Sequence, residues 1–143
     1  MGARSSRVLA MLLATLPACA TGPADACDPI DPLLARSAFV LVTAPAAGAR
    51  SASPLRVAGC SRTFESNVLW ALRGRDGRVL DAGHTRGGGV DGPGRFAFSA
   101  DFAVDAAELG VLDAWEEDAS GGEGHPPPRM LVPVVLLPRA GAE

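Results

Sequence analysis

"SNVLWALRGRDGRVLDAGHT", residues 66–85, predicts two β-strands joined by a tight turn. Val68, Trp70 and Leu72 occupy alternate positions, so their side chains share one face of the first strand. The Asp-Gly pair that follows is a hairpin signal, because these residues tolerate the backbone angles of a two-residue turn. The stretch is therefore expected to form a β-hairpin with Trp70 facing a core.

Short apolar runs separated by turn signals continue on both sides of this hairpin. The clearest alternation is "RFAFSADFAV", residues 95–104, in which every second side chain from Phe96 to Phe102 is apolar and faces one way. In the last run Pro133 is typical of an edge strand or a bulge. The other predicted strands are 38–45, 54–60, 110–118 and 130–138. Seven short strands at this spacing predict an all-β fold, a seven-stranded antiparallel immunoglobulin-like sandwich over residues 38–138.

The N-terminus has the pattern of a secretory signal peptide. Arg4 and Arg7 precede the apolar run "VLAMLLATLPACA", which is shorter than the roughly 20 residues that span a membrane. "LPAC", ending at Cys19, resembles the bacterial lipobox, whose cysteine becomes the lipidated first residue of the mature protein. The alternative is ordinary signal-peptidase cleavage before Thr21.

We expect an exported protein at the outer face of a bacterial membrane or in the periplasm, with lipid attached at Cys19 as its only membrane contact. The predicted organisation is a signal peptide (1–18), a Pro/Asp-rich tether (19–37), the sandwich (38–138) and a C-terminal tail (139–143).

Two cysteines, Cys27 and Cys60, remain once Cys19 is removed or modified. An even pair in an oxidising compartment indicates a disulfide, which would fasten the segment after the leader onto the sandwich. The alternative is two free, buried thiols. Sequence alone does not show that the two Cβ atoms meet.

The charge of the chain disfavours nucleic acid as a partner. It contains 13 Lys and Arg against 16 Asp and Glu, for a net charge of −3, and every basic residue is Arg. Loss of a leader that carries Arg4 and Arg7 makes the net charge more negative. Such a chain lacks the basic field that binds phosphate backbones.

The polar residues include no strong catalytic or metal-binding motif. The run "RGGGVDGPGR", residues 86–95, has no following Lys-Ser or Lys-Thr and no helix, so it is interpreted as a flexible hairpin connection and not as a phosphate loop. The acidic residues near two predicted strand ends admit a structural role, Ca²⁺ binding or glycoside hydrolysis, of which the structural role is favoured. They are Glu65, Glu116, Glu117 and Asp118. His84 and His125 have no partner at ligand spacing, so we expect no metal and no cofactor.

Several short motifs, in order, resemble the immunoglobulin-like domain of bacterial spore germination proteins, which is found beside GerMN domains and in envelope lipoproteins. They are "SPLRVAG" (53–59), "FESNV" (64–68), "DGRVL" (76–80), "GRFAF" (94–98), "WEEDAS" (115–120) and "VPVVL" (132–136). The motif positions include Phe64, Glu65, Trp115 and Glu116. The resemblance implies a non-enzymatic β-sandwich of the cell envelope, here a stand-alone exported lipoprotein, and implies no catalytic residues.

The predicted function is a non-catalytic binding or scaffolding module for an unknown envelope protein or cell-wall component. The loops at 86–95 and 119–129 are the expected contact surfaces, because loops at the end of a sandwich need not pack. One alternative is an inhibitor or chaperone-like module that acts by sheet-edge addition. A third hypothesis is a glycan-active enzyme that uses Glu65 and Glu116 across a groove.

Replacement of Cys19 by alanine tests the lipid anchor. A Cys19→Ala variant should move from the detergent phase to the aqueous phase in detergent partitioning, because the thiol that carries the lipid is gone. A variant that stays in the membrane fraction would show that the protein is not anchored through Cys19.

Overall fold

Eight β-strands and one short 3-10 helix form the regular structure of residues 26–28 and 30–139, the part of the chain that this computed structural model describes. The helix is Leu34–Arg36, and the strands are β1 (Phe39–Ala44), β2 (Arg50–Ser51), β3 (Leu55–Arg62), β4 (Asn67–Arg73), β5 (Val79–Arg86), β6 (Gly94–Ala100), β7 (Glu108–Glu116) and β8 (Arg129–Leu136). No helix in this part of the chain is long and apolar enough to cross a membrane. The predicted signal peptide and Cys19 lie outside the described residues.

The strands form two facing sheets, one of order β1-β3-β6 and one of order β2-β8-β7-β4-β5. All pairs are antiparallel except β2 with β8. The hairpin predicted at 66–85 is present as β4 and β5, joined by a turn in which the Gly77 N–H donates to the Gly74 carbonyl at 2.9 Å. The all-β immunoglobulin-like sandwich is therefore confirmed.

The strand count is eight and not the predicted seven. The additional strand β2 lies between the predicted strands 38–45 and 54–60, in a stretch of mostly small residues, and it pairs parallel with β8. Main-chain hydrogen bonds define it: Val135 N–H donates to the Ala49 carbonyl and Leu137 N–H to the Ser51 carbonyl, both at 2.9 Å. A two-residue strand has no alternation of apolar side chains, so the sequence pattern did not indicate it.

The core lies between the two sheets and contains the side chains that the period of two indicated. Val68, Trp70 and Leu72 of β4 are 0%, 7% and 0% exposed. Trp70 stacks on Phe98 from the opposite sheet, with ring centroids 4.3 Å apart and planes 10° apart. Full burial of one large apolar side chain contributes about 1.5–3 kcal/mol, so a core of this kind holds the sheets together.

The strand predicted over 95–104 ends at Ala100. Beyond it, Asp101 N–H donates to Asp81 Oδ2 at 2.7 Å and Phe102 N–H to Ser53 Oγ at 3.0 Å, so side chains replace the neighbouring strand as partners. Phe102 remains 6% exposed. The alternation of apolar residues thus predicted burial correctly, although residues 101–104 lie outside the sheet.

Cys27 and Cys60 form a disulfide, as predicted, with their Cα atoms 5.2 Å apart. Cys60 lies on β3 and is paired with Leu41 of β1 and Arg95 of β6, on the face that points away from the core. The bond therefore fastens the chain that precedes β1 onto the outer face of the three-stranded sheet.

Removal of the disulfide is expected to destabilise the fold. A Cys27→Ala/Cys60→Ala double variant should lose about 2–4 kcal/mol of unfolding free energy in urea titration, because the unfolded chain is no longer constrained. Gly124→Ala is a suitable control, since a Cβ there meets no atom nearer than 3.4 Å. Equal stability of the double variant and the control would show that the bond constrains little.

Candidate functional site

Three connections meet at one end of the sandwich, because β3, β5 and β7 all run towards it. They are the β3–β4 turn (63–66), the β5–β6 loop (87–93) and the β7–β8 loop (117–128), and together we call them the loop end. The Thr63 N–H donates to the Gly88 carbonyl at 3.0 Å, which joins the first connection to the second.

The β3–β4 turn presents Phe64 to solvent. Thr63 is 2% exposed and its carbonyl accepts the Ser66 N–H at 3.4 Å, which closes the turn. Ser66 has a φ of 58°, in the left-handed region that non-glycine residues rarely adopt. The chain thus reverses within a few residues and leaves the Phe64 side chain 65% exposed.

Glu116, the last residue of β7, ties this turn to the β7–β8 loop. Its Oε1 accepts the Phe64 N–H at 2.5 Å, and its own N–H donates to the Pro128 carbonyl at 3.0 Å. The next residue, Glu117, accepts a hydrogen bond from Asn67 Nδ2 at 3.3 Å. The bases of the first and third connections are therefore held by carboxylates from one strand end.

The glycine-rich run at 86–95 is close-packed, contrary to its interpretation as a flexible hairpin connection that need not pack. A Cβ on Gly88 would lie 2.1 Å from the Gly94 nitrogen, and one on Gly89 would lie 2.2 Å from Ser66 Oγ. The run also joins β5 to β6, which belong to different sheets, so it is not a hairpin. Its glycines permit close approach of the backbone to the β3–β4 turn.

Val90 lies at the tip of this packed run, and its side chain is 61% exposed. Arg62 Nη2 donates to the Val90 carbonyl at 2.9 Å, which holds the tip beside the end of β3. Phe64 and Val90 line one shallow depression together with Ala38, Arg62, Thr63 and Glu116. A second depression on the other side of Phe64 has about 400 Å³ of space open to solvent and is lined by Phe64, Glu65, Asn67, Glu116, Glu117 and Ala119.

The surroundings of these depressions are acidic. Hydrogen bonds from the Ser120 side chain, at 2.6 Å, and from the Ser120 N–H, at 3.0 Å, lower the pKa of Asp118 and favour its charged form. The nearby guanidinium of Arg62 is occupied by the carbonyls of Arg36 and Val90. The acidic residues of the loop end and its borders are Glu65, Asp91, Glu116, Glu117, Asp118 and Glu123.

Comparison with known families identifies the domain. The family described as the immunoglobulin-like domain of bacterial spore germination matches residues 39–123, more than half of the chain. The chain belongs to this family. No curated protein and no solved structure matches this chain. The match includes β1 to β7 and the first two connections of the loop end, and it ends inside the third.

The structure brings three of the four family-motif positions together. Phe64, Glu65 and Glu116 line the same depression, and Glu65 is exposed. Trp115 is on the outer face of β7 instead, half-buried, with the Arg129 guanidinium 5.6 Å from its ring centroid. The disulfide from Cys27 to Cys60 lies on the three-stranded sheet.

Within 26–28 and 30–139, no group of three or more His, Cys, Asp or Glu residues is placed to bind one metal ion. His84 lies on β5 and His125 in the β7–β8 loop, and both are exposed. The arrangement at the loop end can instead offer apolar contact through Phe64 and Val90 and accept hydrogen bonds or cations through its carboxylates.

Two residues of the site were missed by the sequence analysis. Val90 was part of the glycine run, but one apolar residue in a loop gave no sign that it is exposed beside Phe64. Asn67 begins β4 and its amide is bonded to Glu117, a pairing across fifty residues that no local pattern indicates.

Proposed function

We propose that the protein is a non-catalytic binding or scaffolding module of the bacterial cell envelope, anchored by a lipid at Cys19. Membership of the spore-germination immunoglobulin-like family supports a module of this kind. The leader pattern and Cys19 support export and anchoring. The loop end is the surface that contacts the partner.

The observation that carries the proposal is the exposure of two large apolar side chains at one end of a rigid sandwich. Phe64 and Val90 are 65% and 61% exposed, yet the Phe64 N–H donates to the Glu116 carboxylate and the Val90 carbonyl accepts from Arg62, so both backbones are fixed. A surface ordered before binding loses less conformational entropy when the partner arrives. An exposed aromatic side chain that is held in place is the usual anchor of an interface.

The electrostatics of the loop end define the chemistry of the partner. Glu65, Glu116 and Glu117 line the depression beside Phe64, and the Arg62 guanidinium, which lies between Phe64 and Val90, already has carbonyl partners. A complementary partner is an envelope protein that presents an apolar side chain flanked by Lys or Arg. An anionic polymer or nucleic acid would meet like charge.

The anchor and the disulfide together would hold the sandwich near the membrane. If Cys19 carries the lipid, the free chain ends at Cys27, which is bonded to Cys60. A fully extended chain from residue 19 to residue 27 spans at most about 29 Å. The partner would therefore be another component at the membrane surface.

Sheet-edge addition is less well supported. Pro133 of β8 has no N–H to offer, and its carbonyl accepts the Gly48 N–H at 2.8 Å, while β2 covers the end of the same strand. At the other side of the sandwich, Thr85 Oγ1 of β5 donates to the Ala97 carbonyl of β6 at 3.2 Å. Such edges are protected from addition of another strand.

Glycan hydrolysis is also less well supported, although Glu65 and Glu116 do line one depression. Glu116 Oε1 is engaged by the Phe64 N–H, which assigns this carboxylate to holding the turn. The depression is partly open to solvent, whereas a glycosidase encloses the sugar between its two carboxyl groups.

A photo-crosslinking amino acid at position 64 tests the proposal in cells of the native host. We expect a covalent adduct with one or a few envelope proteins, because this side chain would be inserted in the interface. The matched control carries the same amino acid in place of Ala106, which is exposed at the opposite end of the sandwich. Glu65→Gln/Glu117→Gln in the first variant should reduce the adduct by removing charge. The same set of adducts from both positions would contradict the proposal.

A further inference from the structure

Over β7, β8 and the middle of β4, the outer face of the five-stranded sheet is apolar, unlike the solvent-facing side of most antiparallel sheets. The exposed His84 and Arg86 of β5 border this area. Along β7, Leu109 and Val111 point away from the core, while their neighbour Leu112 is fully buried. Along β8, Leu131 and Val135 do the same. Leu109 is 53% exposed and Leu131 is 58% exposed, so large apolar side chains on both strands face solvent.

The register extends this apolar area across the sheet. Ala71 of β4 is paired with Ala82 of β5 on one side and with Asp113 of β7 on the other. Ala71 is 2% exposed and Asp113 is 1% exposed, so longer neighbouring side chains cover the middle of the face. Leu69 lies in the next row of β4, between Trp115 of β7 and His84 of β5. Leu109 and Leu131 remain exposed on this face.

The central carboxylate of this face is neutralised within the chain. Asp113 is 1% exposed although it points away from the core. Arg129 Nε donates to Asp113 Oδ1 at 2.7 Å, and Arg129 Nη2 bonds the second oxygen. A carboxylate is tolerated in such an apolar environment only when paired in this way. The centre of the face consequently has no net charge.

We propose that a second copy of this chain covers this face, in a dimer that packs the two five-stranded sheets against each other. Four strands about 4.8 Å apart and about seven residues long present on the order of 500 Å² per copy. Two copies would bury about 1,000 Å², which is enough for a weak, reversible dimer. Packing of two apolar sheet faces at about 10 Å is also how this protein forms its own core.

Charge favours a second copy that is oriented in the opposite direction. The chain is net negative, so two copies repel each other except where their surfaces carry no net charge. Apart from the Asp113–Arg129 pair, the charged residues of the face lie towards its ends, with Arg73 at one end of β4 and both Arg86 and Glu117 at the other. An antiparallel two-fold arrangement keeps Arg73 of one copy away from Arg73 of the other and places it over the end that carries Glu117.

Crosslinking between two differently tagged copies of the full chain in one cell tests this dimer. A photo-crosslinking amino acid at position 131 of one copy should give an adduct of twice the monomer mass that carries both tags. The same amino acid at position 90, exposed at the loop end, should give no adduct with both tags. Leu109→Asp in both copies should lower the adduct from position 131 at least about tenfold, because a charge would be buried in the interface.

Three results would overturn the proposal: no adduct from position 131, adducts only with proteins other than this chain, or equal loss of the two-tag adduct in a Val90→Asp control. Leu109 and Val90 are both more than half exposed, so neither change removes core packing. Sedimentation of the exported protein should show a monomer–dimer equilibrium that persists as ionic strength rises, since the interface is apolar. Leu109 and Leu131 lie outside the loop end, so changes at these two positions test the dimer and not the function proposed for the loop end, although Glu117 borders both surfaces.

Discussion

The hydrogen bond from the Phe64 N–H to the Glu116 carboxylate is the interaction on which the structure of the loop end depends. The β3–β4 turn has to pass from the three-stranded sheet to the five-stranded sheet, and Glu116 binds it to the end of β7 at 2.5 Å. The same residue fixes the base of the β7–β8 loop through its own N–H. Because two connections are held by one residue, the loop end is a defined surface and not a set of independent loops.

The two sheets have different outer faces, and each face is given a different proposed role. The outer face of the three-stranded sheet carries Cys60, whose disulfide fastens the chain that leads back to the predicted anchor. The five-stranded sheet keeps Leu109 and Leu131 exposed and neutralises Asp113 internally. The core between the sheets supplies stability alone. Anchor, partner contact and self-association would thus use separate surfaces of one sandwich.

The sequence predicted the features that depend on local patterns. Alternation at Val68, Trp70 and Leu72 predicts burial directly, because successive side chains of a strand point to opposite faces. Cys27 and Cys60, the even pair that remains after Cys19, indicated a disulfide. Strand β2 was missed because main-chain hydrogen bonds create it. The pairing of Phe64 with Glu116 spans fifty-two residues, and the burial of Asp113 depends on Arg129, so neither is visible until the strands are in register. The sequence raised the hypothesis that Glu65 and Glu116 lie close together. Only the structure shows that Glu116 holds the β3–β4 turn through the Phe64 N–H.

Hydrogen exchange at the Phe64 amide tests most directly whether Glu116 orders the loop end. If Glu116 orders the loop end, Glu116→Ala removes protection of this amide and lowers the unfolding free energy by only about 1–2 kcal/mol, the usual effect of losing one such acceptor. Glu116→Gln retains a side-chain oxygen in the same place and should keep most of the protection. Unchanged exchange of the Phe64 amide in Glu116→Ala would show that the turn is ordered without this carboxylate, and would contradict the role given to Glu116.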